Sequence, residues 1–492
     1  MVGDPLDERV RKLSKLIGLG INPYPHVYRP THRVDDLVRE KEVGVSVNVA
    51  GRLTGLRDMG KAIFADIVDR QAKIQLLLTQ DQLGEVYGLV SLLDIGDTIG
   101  IEGVTFNTRT GEYSIRANQL KILAKSLRPS VAKSGVRDSE LRYTDRTLDL
   151  LANPKVIGIF VKRSKIISAM RRYLDDHGFT EVEVPLIQPV YGGAAAAPFI
   201  THVNALDRDY FLSISPELYL KRLIAGGFDA VYAITKNFRN EGISPKHNPE
   251  FTSMECYRAY DDYNGMMGLT EEMTAAISLQ VNGSTTVTYL SATFKLEPPW
   301  ERLPYMDAVE KYSGLKVGKM HEGQLKDWLR RREENKPTTE CPSVIYQQID
   351  NMTRDQVIIG LFEEFAEPHL TGPVFVVDYP AESTPLCKPH RDRRGLIERF
   401  EAYIAGMEIA NAYSELNDPM LQRRLLEEQV KRERARDNPY PDVDKPFLRA
   451  LEYGMPPTGG LGIGVDRLVM VLTGKSSIKD VILFPFTKSE LK

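Results

Sequence analysis

A short stretch of the chain concentrates charged and aromatic side chains between two apolar runs. The runs 231–238 and 251–260 alternate apolar and polar residues, as strands do, and Pro245 and Pro249 block a helix between them. The loop between the runs carries four polar side chains, those of Arg239, Glu241, Lys246 and His247. This pattern predicts a β-hairpin with a charged tip.

The second run of this hairpin places groups with different chemistry on one face. A period of two puts Phe251, Glu255 and Tyr257 on the same side of the strand. An aromatic ring, a carboxylate and a phenol beside the arginine of the loop can stack a base, hold a cation and bind a phosphate. An ordinary sheet with a solvated turn is the alternative, but the density of reactive groups on so short a piece favours a site.

A second group of acidic and amide side chains lies in the segment 395–419. The positions of Glu401, Glu408, Asn411 and Glu415 fit one stripe of a helix, whose plain interpretation is a solvated acidic face. The apolar residues around Ala405 and Gly406 fit two strands joined by a tight turn instead. Periodicity alone leaves both interpretations open.

Glycine-rich segments accompany both groups. The segment 459–474 predicts a strand that enters a helix, with Asp466 as a possible N-cap, Gly474 as C-cap and Arg467 at the helix N-terminus, where free amides favour anions. It lacks the GxxxxGK[ST] pattern, which excludes a P-loop. Gly193 lies in a small-residue loop that lets backbone amides approach a ligand, although a surface turn explains it equally well.

The helix predicted after Ser215 has Glu217 in its first turn. A carboxylate at this position complements the helix dipole, and that is its plain interpretation as a surface acid. The segment 284–371 contains charged helices such as 324–334 and is predicted to be an insertion packed outside the core.

The N-terminal part of the chain has a different pattern, with five short alternating runs between residues 47 and 123. A helical insert precedes the fourth run, which is typical of an OB-type barrel that binds single-stranded nucleic acid. Phe64 could stack on a base while Arg52 and Gln75 supply hydrogen bonds. A buried phenylalanine with two surface polar residues is the alternative. The basic residues of 125–154, Lys125, Arg128, Lys133, Arg137, Arg142 and Arg146, fit either RNA contacts or a solvated hinge.

Bulk properties set broad limits. A length of 492 residues predicts two or three domains, and the net charge of −3 neither supports nor excludes a nucleic-acid partner. The three cysteines are far apart, so neither a disulfide framework nor a cysteine zinc site is predicted. No apolar run approaches the roughly 20 residues that cross a bilayer, so we expect a cytoplasmic protein without a membrane partner.

The segment 239–257, RNEGISPKHNPEFTSMECY, resembles motif 2 of the class II aminoacyl-tRNA synthetases, in the form typical of the lysyl-tRNA synthetase family. The segment 459–474 resembles motif 3, GxGxGxDR, and the helix, strand and proline between 156 and 185 resemble motif 1. The resemblance covers nearly the whole chain. Ala197, Ala405 and Met407 depart from the residues common in the family, which puts a contact of the side chain at 197 in doubt.

This resemblance implies an α+β fold: an N-terminal OB-type β-barrel plus a class II catalytic domain built on an antiparallel β-sheet flanked by helices. The expected domains are 1–125, with the N-terminal helix and the anticodon-binding barrel, a linker at 126–154, and the catalytic domain at 155–492. Motif 1 implies a homodimer, and the edge proline Pro185 is consistent with a boundary position.

The resemblance also implies roles for individual residues. Arg239 and Arg467 are the expected catalytic residues, which bind the α- and γ-phosphates. ATP would further contact Glu241, His247 and Phe251, while Glu401 and Glu408 would hold Mg²⁺. The expected lysine-binding residues are Gly193, Glu217, Glu255, Tyr257, Asn411 and Glu415, and the expected anticodon-binding residues are Arg52, Phe64 and Gln75.

The implied activity joins L-lysine to tRNA(Lys) by way of lysyl-adenylate. An argument from the residues supports lysine, since a buried ammonium must be paired and Glu415 with Tyr257 can pair it. Three alternatives remain: a related enzyme for aspartate or asparagine, a non-catalytic RNA-binding or regulatory protein with the same fold, and an enzyme that transfers lysine to a protein or lipid.

Overall fold

The computed structural model describes residues 5–70, 72–129, 138–334, 349–434 and 442–487. The chain divides into two compact units, Met1–Gly158 and Ile159–Lys492. Lys133 and Arg137 of the predicted linker lie outside the described residues. The sequence also predicts Asp4 as the N-cap of a first amphipathic helix, and this residue lies outside the described residues as well. In the part of the chain that is described, no helix has the length and apolar character needed to cross a membrane.

The first unit is built around a closed barrel with the strand order β1-β2-β3-β5-β4. Alternate residues of β1 are buried, because successive side chains of a strand point to opposite faces and one face fills the barrel. The predicted OB-type barrel, with its helical insert before the fourth strand, is confirmed. The elements of this unit are α1 (Pro5–Gly18), α2 (Val34–Glu40), β1 (Ser46–Asp58), β2 (Ile63–Asp69), β3 (Ala72–Leu78), α3 (Gln80–Leu83), a 3-10 helix (Gly84–Leu92), β4 (Thr98–Asn107), β5 (Tyr113–Ala124), α4 (Ser139–Thr144) and α5 (Arg146–Ala152).

Two basic residues expected in or beside a solvated linker are buried and paired instead. The ammonium of Lys125 lies 2.7 Å from Asp97 Oδ2 and 2.6 Å from Asp94 Oδ2. Arg146 Nη1 lies 2.7 Å from Asp149 Oδ2, one turn later in the same short helix α5. Burying a charge is costly unless it is paired, so these side chains hold the fold together and the predicted RNA contact or solvated hinge is wrong for them.

The second unit contains an eight-stranded sheet, within the described residues, in the order β14-β15-β16-β17-β18-β11-β10-β6. Its inner pairs are antiparallel, while the two edge pairs, β14 with β15 and β10 with β6, are parallel. The strands from residue 159 onward are β6 (Thr180–Glu181), β7 (Ile187–Gln188), β8 (Ile200–Val203), β9 (Arg208–Leu212), β10 (Ala230–Phe238), β11 (Glu250–Ala259), β12 (Thr286–Tyr289), β13 (Ala292–Lys295), β14 (Glu301–Pro304), β15 (Val374–Pro380), β16 (Leu396–Ile404), β17 (Met407–Ser414) and β18 (Thr458–Gly464).

The helices pack an apolar core against this sheet. Asp262 caps the long central helix α8 by accepting bonds from the amides of Asn264 and Gly265, and Gly283 ends it in the left-handed conformation. The α-helices from residue 155 onward are α6 (Lys155–Asp176), α7 (Glu217–Ala225), α8 (Tyr263–Asn282), α9 (Tyr305–Ser313), α10 (Glu322–Glu334), α11 (Arg354–Leu361), α12 (Pro419–Arg434), α13 (Lys445–Glu452) and α14 (Val465–Thr473).

The hairpin β10–β11 and the pair β16–β17 take the predicted form. Residues 405 and 406 form the tight turn between β16 and β17, with φ of 53° and 67°, so the strand interpretation of this segment is confirmed over the helical stripe. The strand after α6 does lie at the sheet edge, as Pro185 predicts, but only Thr180–Glu181 is assigned to it. Val182 continues with one bond, from its amide to Tyr232 O at 2.9 Å.

The prediction of an insertion outside the core is partly wrong for the segment 284–371. Its strand β14 is an edge strand of the main sheet. The charged helix α10 does form, and it buries Leu325 and Leu329 in a separate apolar cluster together with Tyr305. Charged residues cover the outer face of α10. The apolar residues at helical spacing on its other face indicate that the helix packs against the rest of the protein.

Candidate active site

A cavity of about 490 Å³ opens at the sheet of the second unit. It gathers all the site residues that the sequence predicts for the catalytic domain: Gly193, Glu217, Arg239, Glu241, His247, Phe251, Glu255, Tyr257, Glu401, Glu408, Asn411, Glu415 and Arg467. Because these residues come from distant parts of the chain, their convergence is a property of the fold and not of local sequence.

Glycine-rich β18 makes room for the cavity, since it lies between β17 and β11 and presents almost no side chains. A Cβ atom on Gly460 would lie 1.9 Å from Glu415 Oε1 and 2.6 Å from Tyr257 Cε1. Either distance is far shorter than any real carbon contact. The absence of a side chain at 460 therefore lets a carboxylate and a phenol from the two neighbouring strands face the same space.

Arg239 stands at one end of the cavity, just after β10. Its Cζ lies 5.1 Å from the centre of the Phe251 ring. Its Nε is buried and lacks a hydrogen-bond partner among the described residues. A buried donor without a partner carries a desolvation cost that an anionic ligand would remove.

Arg467 lies in the first turn of α14 and points into the same end. Its Nη1 donates to the Glu408 carboxylate at 3.0 Å and to the Glu408 carbonyl at 2.8 Å, while Nη2 lies 3.2 Å from His247 Nε2. Burial, followed by the nearby Arg467 charge, lowers the pKa of His247. The neutral imidazole can therefore share this end of the cavity with a guanidinium and an anion.

The predicted N-cap of α14 is wrong. Gly464 takes the cap position, and no side chain caps this helix end. The Asp466 carboxylate instead accepts a bond from the Thr252 amide at 2.7 Å and one from Arg163 Nη1 at 2.5 Å. It thereby fastens α14 to β11 and to α6. This leaves the amides at the start of α14 without a resident carboxylate cap.

Two carboxylates, those of Glu401 and Glu408, line the cavity beside the arginines. Glu401 accepts from Tyr379 Oη at 2.8 Å and from Tyr403 Oη at 2.5 Å. Burial raises the pKa of Glu401, and the neighbouring Arg399 opposes this effect. The described residues contain no group of three possible metal ligands, so a cation here would take its other oxygens from a bound ligand or from water. That arrangement fits Mg²⁺ carried by a nucleotide.

The other end of the cavity is acidic. Ser215 Oγ lies 3.0 Å from Glu255 Oε1, and Tyr257 Oη lies 3.3 Å from Glu255 Oε2. Burial, followed by the charge of Glu217, raises the pKa of Glu255 to about 8. Gly193 closes this end with a φ of 85°, and a Cβ there would lie 3.0 Å from Ser215 Oγ. A carboxylate cluster held away from water attracts a cationic ligand.

Sequence reasoning missed two basic residues, Arg399 in the lining of this cavity and Lys221 directly behind it. Lys221 lies one helical turn after Glu217 and pairs with it at 2.6 Å, and it also pairs with Glu415. Arg399 pairs with Glu401 and donates from Nε to Asn411 Oδ1 at 3.1 Å. Two spacings in the sequence could have indicated these pairs. Glu217 and Lys221 are four residues apart on a helix, and Arg399 and Glu401 are two residues apart on a strand, so each pair lies on one face.

The surface acid predicted as the plain interpretation of Glu217 is wrong as well. Glu217 is 4% exposed. Burial raises its pKa, and the charge of Lys221 offsets only part of this effect. The side chain therefore belongs to the cavity wall and not to the solvated surface.

In the first unit, the three predicted base-reading residues share the outer face of the barrel. Gln75 lies opposite Asp66, and Arg52 lies opposite Val68. Asp66 and Val68 follow Phe64 on β2 by two and four residues, so all three point to the same face of the strand. The intervening Ala65 and Ile67 face the core. Phe64 is half-buried, while Arg52 Nη1 donates to Gly96 O at 2.6 Å and Gln75 Oε1 accepts from Ser114 Oγ at 3.0 Å.

Comparison with known protein families agrees with this architecture. Residues 138–488 match the family model of tRNA synthetases class II (D, K and N), and residues 47–123 match that of an OB-fold nucleic acid binding domain. The first match covers most of the chain and the second covers the barrel. The predicted fold class and family resemblance are confirmed.

Curated relatives are similar over almost the full length. The lysine–tRNA ligase of Pelotomaculum thermopropionicum is 47% identical over 98% of this chain and 94% of its own length. That of Moorella thermoacetica is 47% identical over 98% of this chain and 97% of its own, and that of Carboxydothermus hydrogenoformans is 45% identical with the same coverage. The chain belongs to the class II tRNA synthetases of the D, K and N family.

Proposed function

We propose that this protein is a lysine–tRNA ligase, which activates L-lysine with ATP and transfers the lysyl group to the 3′ end of tRNA(Lys). The observation that carries the proposal is the likeness, at 45–47% identity over 98% of the chain, to relatives that are each named lysine–tRNA ligase. The cavity adds a chemical reason, because it has one end with two guanidinium groups and one with several carboxylates.

The reaction proceeds in two steps. The lysine carboxylate attacks the α-phosphorus of ATP in line, the bond from that phosphorus to the bridging oxygen breaks, and pyrophosphate leaves with the electron pair. A ribose hydroxyl at the tRNA terminus then attacks the lysyl carbonyl, AMP leaves, and the hydroxyl proton is lost. Positioning and charge neutralisation carry such steps, so the protein needs no covalent nucleophile.

The basic end of the cavity is assigned to ATP. Arg239 binds the α-phosphate through its guanidinium, whose buried Nε has no hydrogen-bond partner among the described residues. Arg467 binds the γ-phosphate. Phe251 stacks on adenine, and Glu241 and His247 place the nucleotide.

Two carboxylates in this end are assigned to the metal that ATP carries. Glu401 and Glu408 would hold Mg²⁺ together with phosphate oxygens, and the bound ion would neutralise charge on the triphosphate.

The acidic end is assigned to lysine. Glu217 and Gly193 meet the α-amino end, Asn411 and Glu255 line the pocket, and Glu415 with Tyr257 receives the side-chain ammonium. Paired carboxylates in a buried space bind an ammonium well, whereas an aspartate side chain would meet like charge there.

The remaining assignments concern the rest of the molecule. We assign anticodon binding to the barrel within 1–125, through Arg52, Phe64 and Gln75, with a linker at 126–154 and the catalytic domain at 155–492. A homodimer through the motif 1 region is consistent with the exposed apolar side chains of Val161 and Ile187, each about half exposed. The cytoplasmic location stays a prediction.

A sibling enzyme for aspartate or asparagine is the second candidate, since the matching family model covers D, K and N together. The two proposals differ in the charge of the substrate side chain, and the acidic end of the cavity favours a cation.

Aminoacylation of unfractionated tRNA with a mixture of labelled amino acids tests the proposal. We expect label from lysine alone to appear on tRNA. Charging with aspartate or asparagine would support the sibling enzyme, and the absence of charging with any amino acid would support a non-catalytic protein of the same fold.

A further inference from the structure

Lys221 is a buried cation directly behind the wall of the amino-acid end of the cavity, where it pairs with the lining residues Glu217 and Glu415. Its side chain is 0% exposed. Its Nζ lies 2.6 Å from Glu217 Oε1, pairs with Glu415 Oε2, and lies 3.5 Å from Leu386 O. The two carboxylates that the proposed function assigns to the substrate's two ammonium groups are therefore both bonded to one resident ammonium.

We propose that Lys221 is a positioning and specificity-determining residue for lysine activation. Its ammonium opposes the effect of burial on the charge of Glu217 and Glu415, and its position aims both carboxylates at the space that the substrate occupies. This inference rests on the proposed function and deepens it, because it names the residue that makes the acidic pocket suited to an amino acid with two ammonium groups.

The first argument is one of charge. Glu217, Glu255 and Glu415 share a space that is closed to water, and carboxylates held together in this way cannot all ionise unless a cation lies among them. When all three carboxyls are ionised, as in a complex with a cationic ligand, they and the Lys221 ammonium carry two net negative charges. The two ammonium groups of lysine neutralise both, and an amino acid with a neutral side chain neutralises one.

The second argument is one of geometry. Glu415 comes from the end of β17, where its amide donates to Thr458 O at 2.8 Å, and Lys221 comes from α7. The ion pair between them fixes Oε2, while Oε1 is buried with no hydrogen-bond partner among the described residues. A buried acceptor without a hydrogen bond carries a desolvation cost, so Oε1 is the atom that an incoming ammonium would bind.

The groups that face Lys221 set its behaviour with pH. Glu217, Glu415 and the thiol of Cys387 face Lys221 itself. The carboxylate of Glu255, the phenols of Tyr257 and Tyr413 and the guanidinium of Arg399 face its two carboxylate partners. Burial raises the pKa of Glu415, and Lys221 is the largest influence in the opposite direction. Loss of the Lys221 charge would therefore raise the pKa of Glu415 above the value of about 8 that it has beside Lys221, so the carboxyl would ionise only at a higher pH than in the wild type.

Two substitutions separate charge from shape. Lys221→Gln keeps a hydrogen-bond donor but removes the charge, and Lys221→Met keeps the length of the side chain but removes both. Lys125→Gln is the matched control, since Lys125 is an equally buried lysine between two carboxylates in the barrel. Thermal unfolding and circular dichroism of the full-length variants show whether each one is folded.

The assay is ATP–pyrophosphate exchange without tRNA, with separate titrations of lysine and ATP. We expect both Lys221 variants to raise the KM for lysine by about tenfold or more while the KM for ATP stays within about threefold, because an uncompensated buried carboxyl loses its charge. Their kcat/KM for lysine should continue to rise above pH 8.5, where the wild type levels off, because Glu415 ionises at a higher pH without the Lys221 charge. Lys125→Gln should leave the KM for lysine within about twofold, since effects at distant sites are independent.

The outcomes distinguish this inference from the proposed function. If the wild-type protein does not activate lysine, the proposed function is wrong. If the wild type activates lysine and a folded Lys221→Gln does so with an unchanged KM, the role of Lys221 is overturned and the function stands. A raised KM whose pH dependence matches that of the wild type would also overturn it, because a packing defect alone predicts that result. If Lys221→Met does not fold, Lys221→Gln carries the test.

Discussion

Arg467 and Glu408 are bonded to each other twice, through the carboxylate at 3.0 Å and the carbonyl at 2.8 Å of Glu408. The bonds join the first turn of α14 to the start of β17 and hold the guanidinium over the cavity. A phosphate that enters there meets a donor that is already in place, so little side-chain freedom is lost on binding.

Replacement of this arginine tests its assignment to ATP. Lys cannot reproduce the planar fork of donors, so Arg467→Lys should raise the KM for ATP by about tenfold or more, with the KM for lysine within a few fold. Pyrophosphate exchange with each substrate varied in turn measures both constants. An unchanged KM for ATP in the folded variant would remove Arg467 from the ATP site.

Phe251 lies under the Arg239 guanidinium, with 5.1 Å between Cζ and the ring centre. We expect Phe251→Ala to weaken ATP binding by about tenfold, because stacking of a base on an aromatic ring contributes about 1 to 3 kcal/mol. Phe251→Tyr keeps the ring and should bind ATP within about threefold of the wild type. Equal losses in the two variants would argue against a stacking role.

In the proposed pocket, Glu415 receives the side-chain ammonium of lysine together with Tyr257. We expect Glu415→Gln to lower kcat/KM for lysine by about a hundredfold, because a buried ammonium then lacks its carboxylate, while ATP binding changes little. Equilibrium binding of ATP and pyrophosphate exchange with lysine measure the two effects separately. Exchange with lysine at near wild-type efficiency would contradict the proposed pocket.

Glu255 gives the pocket a pH dependence. Its pKa is raised to about 8 by burial and by the charge of Glu217, so the carboxyl is largely protonated at pH 7 in the free protein. Lysine binds better to the carboxylate, so kcat/KM for lysine should rise from pH 6.5 to 8.5 in the wild type and stay lower and flatter in Glu255→Gln. A flat wild-type profile would contradict the raised pKa.

The same raised pKa has a consequence for folding. A carboxyl that holds its proton more tightly when folded stabilises the protein fully below its ordinary pKa of 4.5, and this contribution is lost as pH rises toward 8. Glu255→Gln imitates the neutral form at every pH. The Tm of the variant should therefore be higher than that of the wild type at pH 9, and the difference in Tm should shrink toward pH 5. A difference in Tm that is the same at every pH would contradict this account.

Phe64 tests the anticodon assignment independently of the cavity. Phe64→Ala should raise the KM for tRNA in aminoacylation by about tenfold and leave pyrophosphate exchange unchanged, since only tRNA contacts the barrel in this account. Phe106→Ala is a matched control, because Phe106 is also a half-buried ring of the barrel and is covered by Arg116 at 4.8 Å. Equal effects of the two variants would indicate a general loss of barrel structure.

The local sequence was sufficient where the contacts are local. The alternation in β10 and β11, the prolines between them, and the glycines of β18 each constrain the backbone within a few residues, and these elements form as predicted. The turn at Ala405 and Gly406 followed from the same kind of signal, although the acidic spacing nearby also fitted a helix.

The sequence pattern did not predict which residues from distant parts of the chain contact each other. The pairing of Lys221 with Glu415 depends on how α7 meets the end of β17. Asp466 looked like a cap because of its position at a helix start, yet its carboxylate is used by the Thr252 amide of a neighbouring strand. Lys125 looked solvated because its partners Asp94 and Asp97 are separated from it along the chain. A single sequence shows residue types and spacing, but not which opposite charge will be near in space.

The most direct measurement is wild-type ATP–pyrophosphate exchange with a panel of amino acids at matched concentrations. Lysine should support exchange at least about a hundredfold faster than aspartate, asparagine or norleucine, because the buried carboxylates of the pocket require a cation at the end of the substrate side chain. Exchange driven equally well by aspartate or by norleucine would contradict the claim that this cavity is built for lysine.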